Sequence, residues 1–227
     1  MCGRFSLTSD EQQLNMFFEL SGGTAPYVPR YNGAPTQMLP VITNHEPKKW
    51  QPFRWGLVPR WSKEISRIPL INARSETITE KSSFKTVFRE KRCLVPADGF
   101  YEWIHSGRKL PFRFTLKDES LFAFAGLWDS WKQPSGEVLH SFAIITTDAN
   151  EIMQPVHNRM PVILKKENYD EWLNEDKEQN LNKLLKPYPS DEMKKYRVAE
   201  KINSTSSEGP ELIVECEPMD LFNGELF

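Results

Sequence analysis

The sequence predicts a single α+β domain that is mainly antiparallel, with a barrel-like sheet flanked by helices. Much of the chain outside the predicted helices falls in short aromatic and β-branched runs separated by Gly or Pro, a pattern typical of antiparallel strands. Helical patterns interrupt these runs without the regular alternation of a βαβ fold. Neither an internal repeat nor a Gly/Ser-rich linker is present. We therefore expect one domain over 1–214, followed by an acidic tail at 215–227.

The first predicted element is a helix in SDEQQLNMFFELSGG, which we expect to end at the glycine pair 22–23. Ser9 and Gln12 have the spacing of a capping box. An apolar stripe at i, i+3 and i+4 follows them: Leu14, Phe17 and Phe18. The next stretch, APYVPRYNGAPTQMLPVI, carries too many prolines for regular helix.

Two further helical regions are predicted later in the chain. SSFKTVFREK places Phe84, Val87 and Phe88 on one face. The second region runs from ENYDEWLN through LNKLLK and is ended by PYPSD. The predicted strands lie between and after the helices: QPFRWGLVP, RCLVPADGFYEW, PFRFTLK, SLFAFAGLWDSW, SFAIITT and a late strand in YRVAEKI.

The composition is that of a soluble globular protein, with 39% apolar and 26% charged residues. No apolar run has the length of a membrane helix, and the N-terminus lacks the pattern of a signal peptide. We therefore expect a cytoplasmic protein. Cys2, Cys93 and Cys216 form no CxxC pair, so no metal or organic cofactor is expected. Cys93 lies beside Leu94 in a strand pattern and is predicted to be a small buried hydrophobe.

The charge is unevenly distributed although the net charge is only −2. Residues 54–113 hold thirteen Lys and Arg against six Asp and Glu, whereas residues 114–227 carry a net −9. Such a basic segment favours either a positive groove for an anionic polymer or a solvated surface of mixed charge. Tryptophans and a tyrosine are interleaved with it, and one or two of these rings could stack on unpaired bases.

The N-terminus MCGRF places a cysteine directly after the initiator methionine. If Met1 is removed, Cys2 carries an α-amine and a thiol on adjacent carbons, and both titrate near neutral pH. The amine can condense with an aldehyde, after which the thiol closes a five-membered thiazolidine ring. In an extended segment Arg4 would share a face with Cys2 and lower the thiol pKa. Position alone also allows Cys2 to be incidental.

Six stretches in order resemble the SRAP family, the SOS-response-associated peptidases or abasic-site processing proteins. They are MCGRF, RYNGAPTQ (30–37), FRWGLVPRW (53–61), INARSET (71–77), PADGFYEW (96–103) and PVHNRMPVIL (155–164). The resemblance implies binding to abasic sites in single-stranded DNA and a thiazolidine crosslink that shields the lesion during the DNA damage response. It also implies self-removal of Met1, weak abasic-site lyase chemistry, and association with the nucleoid when the protein is bound to DNA.

The resemblance also assigns four catalytic residues. Cys2 would be the nucleophile, and Asn72 would hydrogen-bond the nucleophile or the sugar. Glu102 would steer the α-amine and move protons during imine formation. His157 would act as the acid and base that opens the sugar or assists ring closure. Without the resemblance, a salt bridge is the preferred interpretation of Glu102, and a structural role is the preferred interpretation of His157. Asn72 could equally be a turn or backbone-capping residue.

The implied DNA contacts involve seven further residues. Three arginines would hold phosphates: Arg4, Arg74 and Arg159. Asn32 would support the pocket and Thr146 would touch the DNA backbone. Trp103 and the loop near Pro35 would stack on bases beside the lesion.

Two other functions fit the same sequence. One is a cysteine peptidase with Cys2, His157 and Glu102 as nucleophile, base and orienting group. The other is a non-covalent binder of single-stranded DNA in which Cys2 plays no part. We favour the covalent sensor because a peptidase gains little from a basic, aromatic segment. A monomer without membrane contact is expected in each case.

Overall fold

The structure, a computed structural model, describes residues 2–174 and 181–216. Met1, whose removal is expected from the sequence, and residues 217–227 of the acidic tail lie outside the described residues. The first two tail residues contact the domain: Glu215 forms a bridge with Val198, and the Cys216 amide donates to Arg197 O at 2.8 Å. The domain boundary at residue 214 stays a prediction.

Strands dominate the described chain, as expected. They are β1 Phe5–Leu7, β2 Arg30–Gly33, β3 Met38–Thr43, β4 Glu46–Trp55, β5 Asn72–Arg74, β6 Arg92–Ala97, β7 Gly99–Ser106, β8 Arg108–Leu116, β9 Phe122–Lys132, β10 Val138–Asp148, β11 Arg159–Pro161, β12 Ile163–Leu164 and β13 Met193–Arg197. The α-helices are short: α1 Glu11–Phe18, α2 Lys85–Glu90 and α3 Tyr169–Leu173. Single 3₁₀ turns lie at Ser75–Thr77, Lys166–Asn168, Leu181–Leu184, Ser190–Glu192, Glu200–Asn203 and Pro210–Ile213.

Five strands form a closed barrel in the order β10-β4-β3-β6-β9, and β9 pairs again with β10. Five strands cannot all alternate in direction around a closed ring, so at least one neighbouring pair must be parallel. That pair is β4 and β10, where Ser141 lies opposite Arg54. The short strand β5 also joins β10 in parallel. The α+β prediction of a mainly antiparallel, barrel-like sheet is confirmed.

A second sheet, β13-β8-β7-β1-β2, packs against the barrel through aromatic side chains. Phe5 of β1 lies with its ring centroid 5.1 Å from that of Trp55 and 5.7 Å from that of Phe124. Phe100 of β7 also contacts Phe124. Cys2 and Cys93 are buried in this same cluster, and the prediction for Cys93 is confirmed.

Helix α1 starts one residue later than the sequence predicted. Asp10, not Ser9, is the N-cap: its carboxylate accepts from the Gln13 amide at 2.8 Å, and Gln13 Oε1 accepts from the Asp10 amide at 3.0 Å. The helix ends at Phe18 because Glu19 adopts a left-handed conformation with φ of 55°, so the glycine pair lies beyond it.

The other predictions for elements are confirmed in part. The α2 segment buries the three side chains predicted to share one face, Phe84, Val87 and Phe88. Within the described residues, the third helical region consists of helix α3 and the 3₁₀ turns at Lys166–Asn168 and Leu181–Leu184. Residues 175–180 of this prediction lie outside the described residues. The late strand ends at Arg197, and the second half of YRVAEKI leads into a 3₁₀ turn.

Across residues 2–174 and 181–216, no helix has the length and apolarity needed to cross a membrane.

Candidate active site

Cys2 lies just ahead of β1, a strand with neighbours on both sides. Phe5 is opposite Phe100 of β7, and the Tyr101 amide donates to Arg4 O at 2.9 Å. This pairing fixes the N-terminal segment in the sheet. The Cys2 side chain is 0% exposed and packs in the aromatic cluster between the sheet and the barrel.

Asn72 binds the main chain of Cys2 directly. Its Nδ2 donates to Cys2 O at 2.8 Å. Asn72 opens β5, whose pairing opposite Ile144 of β10 sets its position. Its Oδ1 is buried and has no hydrogen-bond partner among the described residues. A buried acceptor without a donor costs about 1–3 kcal/mol, so this oxygen is suited to receive an N–H or O–H that arrives from outside the fold.

Glu102 lies in the middle of β7 opposite Phe112 and is only 4% exposed. Burial raises the pKa of the Cys2 thiol, and the negative charge of Glu102 raises it further. The thiol is therefore protonated near neutral pH. A hydrogen bond from the Arg4 backbone lowers the thiol pKa, but burial and Glu102 outweigh it, so the pKa is raised overall.

Arg4 faces away from the cluster that contains Cys2. Its Nη1 donates to Asn32 Oδ1 at 2.6 Å and to Ile202 O at 2.8 Å. The guanidinium lies 5.7 Å from the centroid of the Trp103 ring, and its burial lowers the pKa of Arg4. The expectation of a shared face was wrong because regular strand geometry begins only at Phe5.

Asn32 and Trp103 hold the C-terminal segment against this side of the site. Asn32 is fully buried, and its Nδ2 donates to Ser204 O at 2.9 Å and Ser207 O at 2.8 Å. Trp103 Nε1 donates to Asn203 Oδ1 at 2.6 Å. A cleft of about 180 Å³ is lined by Arg4, Trp103, His105, Lys109 and Asn203. Nothing in the polar run INSTSS (202–207) predicted that this segment would contact Arg4, Asn32 and Trp103.

His157 follows a turn and is half-buried. Its amide donates to Met153 O at 3.0 Å, and its Nδ1 accepts from the Arg159 amide at 2.9 Å. Because Nδ1 is an acceptor in this bond, the neutral ring carries its proton on Nε2. A neutral His157 can thus donate a hydrogen bond from Nε2 to a substrate oxygen.

The Arg159 guanidinium is bound at several points. It pairs with both carboxylate oxygens of Glu76, at 2.5 and 3.0 Å, and with Asp148 Oδ1 at 2.9 Å. It also donates to Thr146 O at 2.8 Å. The sequence analysis missed both carboxylates, because Glu76 lies 83 residues away from Arg159 in the chain. Thr146 is fully buried, and its Oγ1 has no hydrogen-bond partner in the described chain.

Arg74 is the exposed member of the three arginines expected to bind phosphates, since Arg4 and Arg159 are largely buried. It ends β5 opposite Thr146 of β10. Pro35 is half-buried in the turn between β2 and β3. The DNA-contact roles of these residues stay predictions.

The fold therefore assembles two groups of predicted residues. Cys2, Asn72 and Glu102 meet at the start of β1. His157, Arg159 and Thr146 meet at the end of β10 and the start of β11. Strand β5 and the 3₁₀ turn after it join the groups, because Asn72 contacts Cys2 and Glu76 contacts Arg159.

The chain was compared with protein families and with known proteins. The family model "SOS response associated peptidase (SRAP)" matches residues 1–205. The abasic site processing protein YoqW of Bacillus subtilis (strain 168) is 44% identical over 223 residues, which cover 94% of this chain and 99% of the relative. The abasic site processing protein HMCES of Mus musculus is 32% identical over 240 residues, covering 85% of this chain and 68% of the relative.

A solved structure shows the same fold. The crystal structure of a Bacteroides thetaiotaomicron protein superposes with a TM-score of 0.86 at 28% identity, covering 95% of this chain and 100% of that chain. Cys2 and the six sequence stretches that carry the resemblance all lie within the residues matched by the family model.

Proposed function

The chain belongs to the SOS response associated peptidase (SRAP) family, and from this premise we propose that it captures abasic sites in single-stranded DNA through Cys2. Relatives that align with most of this chain are named abasic site processing proteins. The observation that carries the proposal is the hydrogen bond from Asn72 Nδ2 to Cys2 O, beside the buried Glu102. This bond fixes Cys2 beside Asn72 and near the Glu102 carboxylate, which can accept and donate protons.

The proposed reaction joins the open-chain aldehyde of an abasic sugar to Cys2 after loss of Met1. The free α-amine attacks the aldehyde carbon, and one water leaves as the C=N bond of the imine forms. The thiol sulfur then adds to the imine carbon, and its proton passes to the nitrogen. The product is a thiazolidine that links the protein to DNA, and the only by-product is water. Ring closure also removes the imine that would otherwise allow β-elimination and strand cleavage.

The buried polar groups suit these steps. Asn72 Oδ1, which has no hydrogen-bond partner in residues 2–174 and 181–216, can accept a hydrogen bond from the amine or from a sugar hydroxyl. Glu102 can take the protons that the amine loses and return one to the leaving hydroxyl. His157, with its proton on Nε2, can donate a hydrogen bond to the ring oxygen of the closed sugar and stabilise it as the ring opens.

Cys2 is buried as the structure stands, so capture requires a step that uncovers it. We propose that removal of Met1 is this step, because it creates the reactive amine and takes away the residue that precedes Cys2. The cleavage would be a single event on the chain itself, consistent with the word peptidase in the family description.

A general cysteine peptidase fits the site less well. Such an enzyme needs a thiolate, and therefore a lowered thiol pKa. Burial and Glu102 instead raise the pKa of Cys2. In the proposed capture the amine reacts first, and a protonated thiol beside the imine is an acceptable starting state.

The test uses single-stranded DNA that contains one abasic site, with denaturing gels and intact mass spectrometry as readouts. The expected product has the summed mass of DNA and protein lacking Met1, minus one water. Cys2→Ala should form no stable adduct, whereas Cys216→Ala, which changes a cysteine in the tail segment, should react like the parent. Adduct formation by Cys2→Ala at the parental rate would refute the proposal. Binding without any adduct would instead identify a non-covalent DNA binder.

A further inference from the structure

One ion pair connects the two groups of site residues. Glu76 binds the Arg159 guanidinium through both carboxylate oxygens, with Nη–Oε distances of 2.5 and 3.0 Å. The Arg159 side chain is 11% exposed and that of Glu76 is 46% exposed, so solvent screens the pair only in part. The hydrogen bonds from Arg159 lower the pKa of the Glu76 carboxyl below its usual range, and the pair therefore stays charged at neutral pH.

Both partners of this ion pair are close in sequence to proposed catalytic residues. Glu76 is in the 3₁₀ turn that directly follows β5, four residues after Asn72. Arg159 donates its amide to His157 Nδ1, and its guanidinium donates to Thr146 O. The position of His157 and the choice of its protonated nitrogen thus depend on where the Arg159 backbone lies.

We propose that Glu76 is a positioning residue for the reaction. By holding Arg159 at two points, it fixes the turn that carries His157 relative to the strand that carries Asn72. This inference rests on the proposed function, since the role assigned to His157 is a hydrogen bond to the sugar ring oxygen during capture. A displacement of about 1 Å at a reacting group can cost up to about a hundredfold in rate, so a small shift of this turn is enough to matter.

Asp148 is a weaker second anchor. It makes one contact to Arg159 at 2.9 Å, and its own side chain is 81% exposed. Solvent screens such a carboxylate strongly. Glu76, with two contacts, is therefore the anchor whose loss should move Arg159.

The experiment compares Glu76→Gln with the parent by the rate of adduct formation across a range of abasic-site DNA concentrations. Gln preserves the shape of the side chain but removes its charge and one acceptor oxygen. We expect the maximal rate to fall about tenfold. The half-saturating DNA concentration should stay the same or decrease, because removal of a carboxylate leaves the positive charge of Arg159 less neutralised. Glu119→Gln, the same change in an exposed pair with Lys194, is the matched control and should react like the parent.

A double-mutant cycle tests whether Glu76 acts on the reaction rate through Arg159. If Glu76 acts through Arg159, then Glu76→Gln should cost no further rate in an Arg159→Ala background. An equal loss in both backgrounds would overturn the inference, and so would a parental maximal rate with only weaker DNA binding. If Glu76→Gln does not fold, Glu76→Asp, which is too short for the same two contacts, is judged by the same two readouts. An unreactive parent would refute the proposed function and not the positioning role alone.

Discussion

At the scale of single residues, the main finding is that Asn72 binds the main chain of Cys2. The contact engages the Cys2 carbonyl oxygen and occupies neither the thiol nor the α-nitrogen. The thiol pKa is raised, so the residue is kept in the unreactive protonated form until an imine is next to it. Such an arrangement protects an N-terminal cysteine from oxidation, because the thiolate is the form that oxidants attack.

Asn72→Ala tests this arrangement. The substitution removes the donor to Cys2 O and the buried Oδ1, so the N-terminal residue loses its fixed position. We expect the rate of adduct formation to fall about ten- to a hundredfold, while binding to undamaged single-stranded DNA is unchanged. The rate is read from denaturing gels, and binding from fluorescence anisotropy.

The control for Asn72→Ala is Asn44→Ala, which removes a buried asparagine that binds Glu90 O and Trp128 Nε1 on another part of the barrel. This variant should melt at a lower temperature but react at the parental rate while folded. A parental rate for Asn72→Ala would show that the contact to Cys2 O has no part in capture.

The resemblance predicted which residues form the site, but not their environment. Local pattern alone favoured a salt bridge for Glu102 and an incidental Cys2. The environment of Arg4 could not be predicted, because residues 2–4 do not follow strand geometry, and alternation therefore assigns the wrong face. Glu76 and Asp148 were missed because nothing local shows that they pair with Arg159.

At the scale of elements, helix α1 shows why boundaries are hard to predict. SDEQQ contains two overlapping capping boxes with the same spacing, Ser9 with Gln12 and Asp10 with Gln13. The structure uses the second. In that register Leu14 and Phe18 are buried in the core, so tertiary packing decides between two locally similar starts.

The choice of N-cap can be tested by two alanine substitutions. Asp10→Ala removes the carboxylate that accepts from the Gln13 amide, and we expect the free energy of unfolding to fall by about 1 kcal/mol. Ser9→Ala should change it by less than about 0.5 kcal/mol, because only the Ser9 backbone carbonyl is engaged, by Tyr27. Urea unfolding followed by circular dichroism measures both values. A larger loss for Ser9→Ala would show that the helix begins one residue earlier.

At the scale of the whole molecule, the barrel depends on contacts that no local pattern shows. The individual strands were visible as aromatic runs, and their number and type gave the correct fold class. The parallel pairing of β4 with β10 joins segments more than 80 residues apart, and closure of an odd-membered ring requires it. This closure brings β5 alongside β10 and so links Asn72 to the part of the site that contains His157 and Arg159.

The packed core also predicts how the stability of the molecule depends on pH. Burial raises the pKa of both Cys2 and Cys93, and it also raises the pKa of Tyr27, Tyr101 and Tyr169. In the unfolded chain a thiol titrates at about 8.5 and a phenol at about 10. Above these values the unfolded chain loses protons that the folded chain keeps. The folded state then binds more protons, so the free energy of unfolding must fall as the pH rises through this window.

We therefore expect stability to be unaffected by these groups below about pH 8.5 and to decline progressively above it. Urea unfolding at pH 8 and pH 10.5 measures the decline. Cys93→Ala removes one buried thiol in strand β6 that has no part in the proposed chemistry, so its decline should be about 2 kcal/mol smaller than that of the parent. The comparison uses the change between the two pH values, because the cavity left by the substitution lowers stability equally at both. An identical decline in the two proteins would mean that the Cys93 thiol ionises as readily in the folded chain as in the unfolded one, which is incompatible with its complete burial between the barrel and the second sheet.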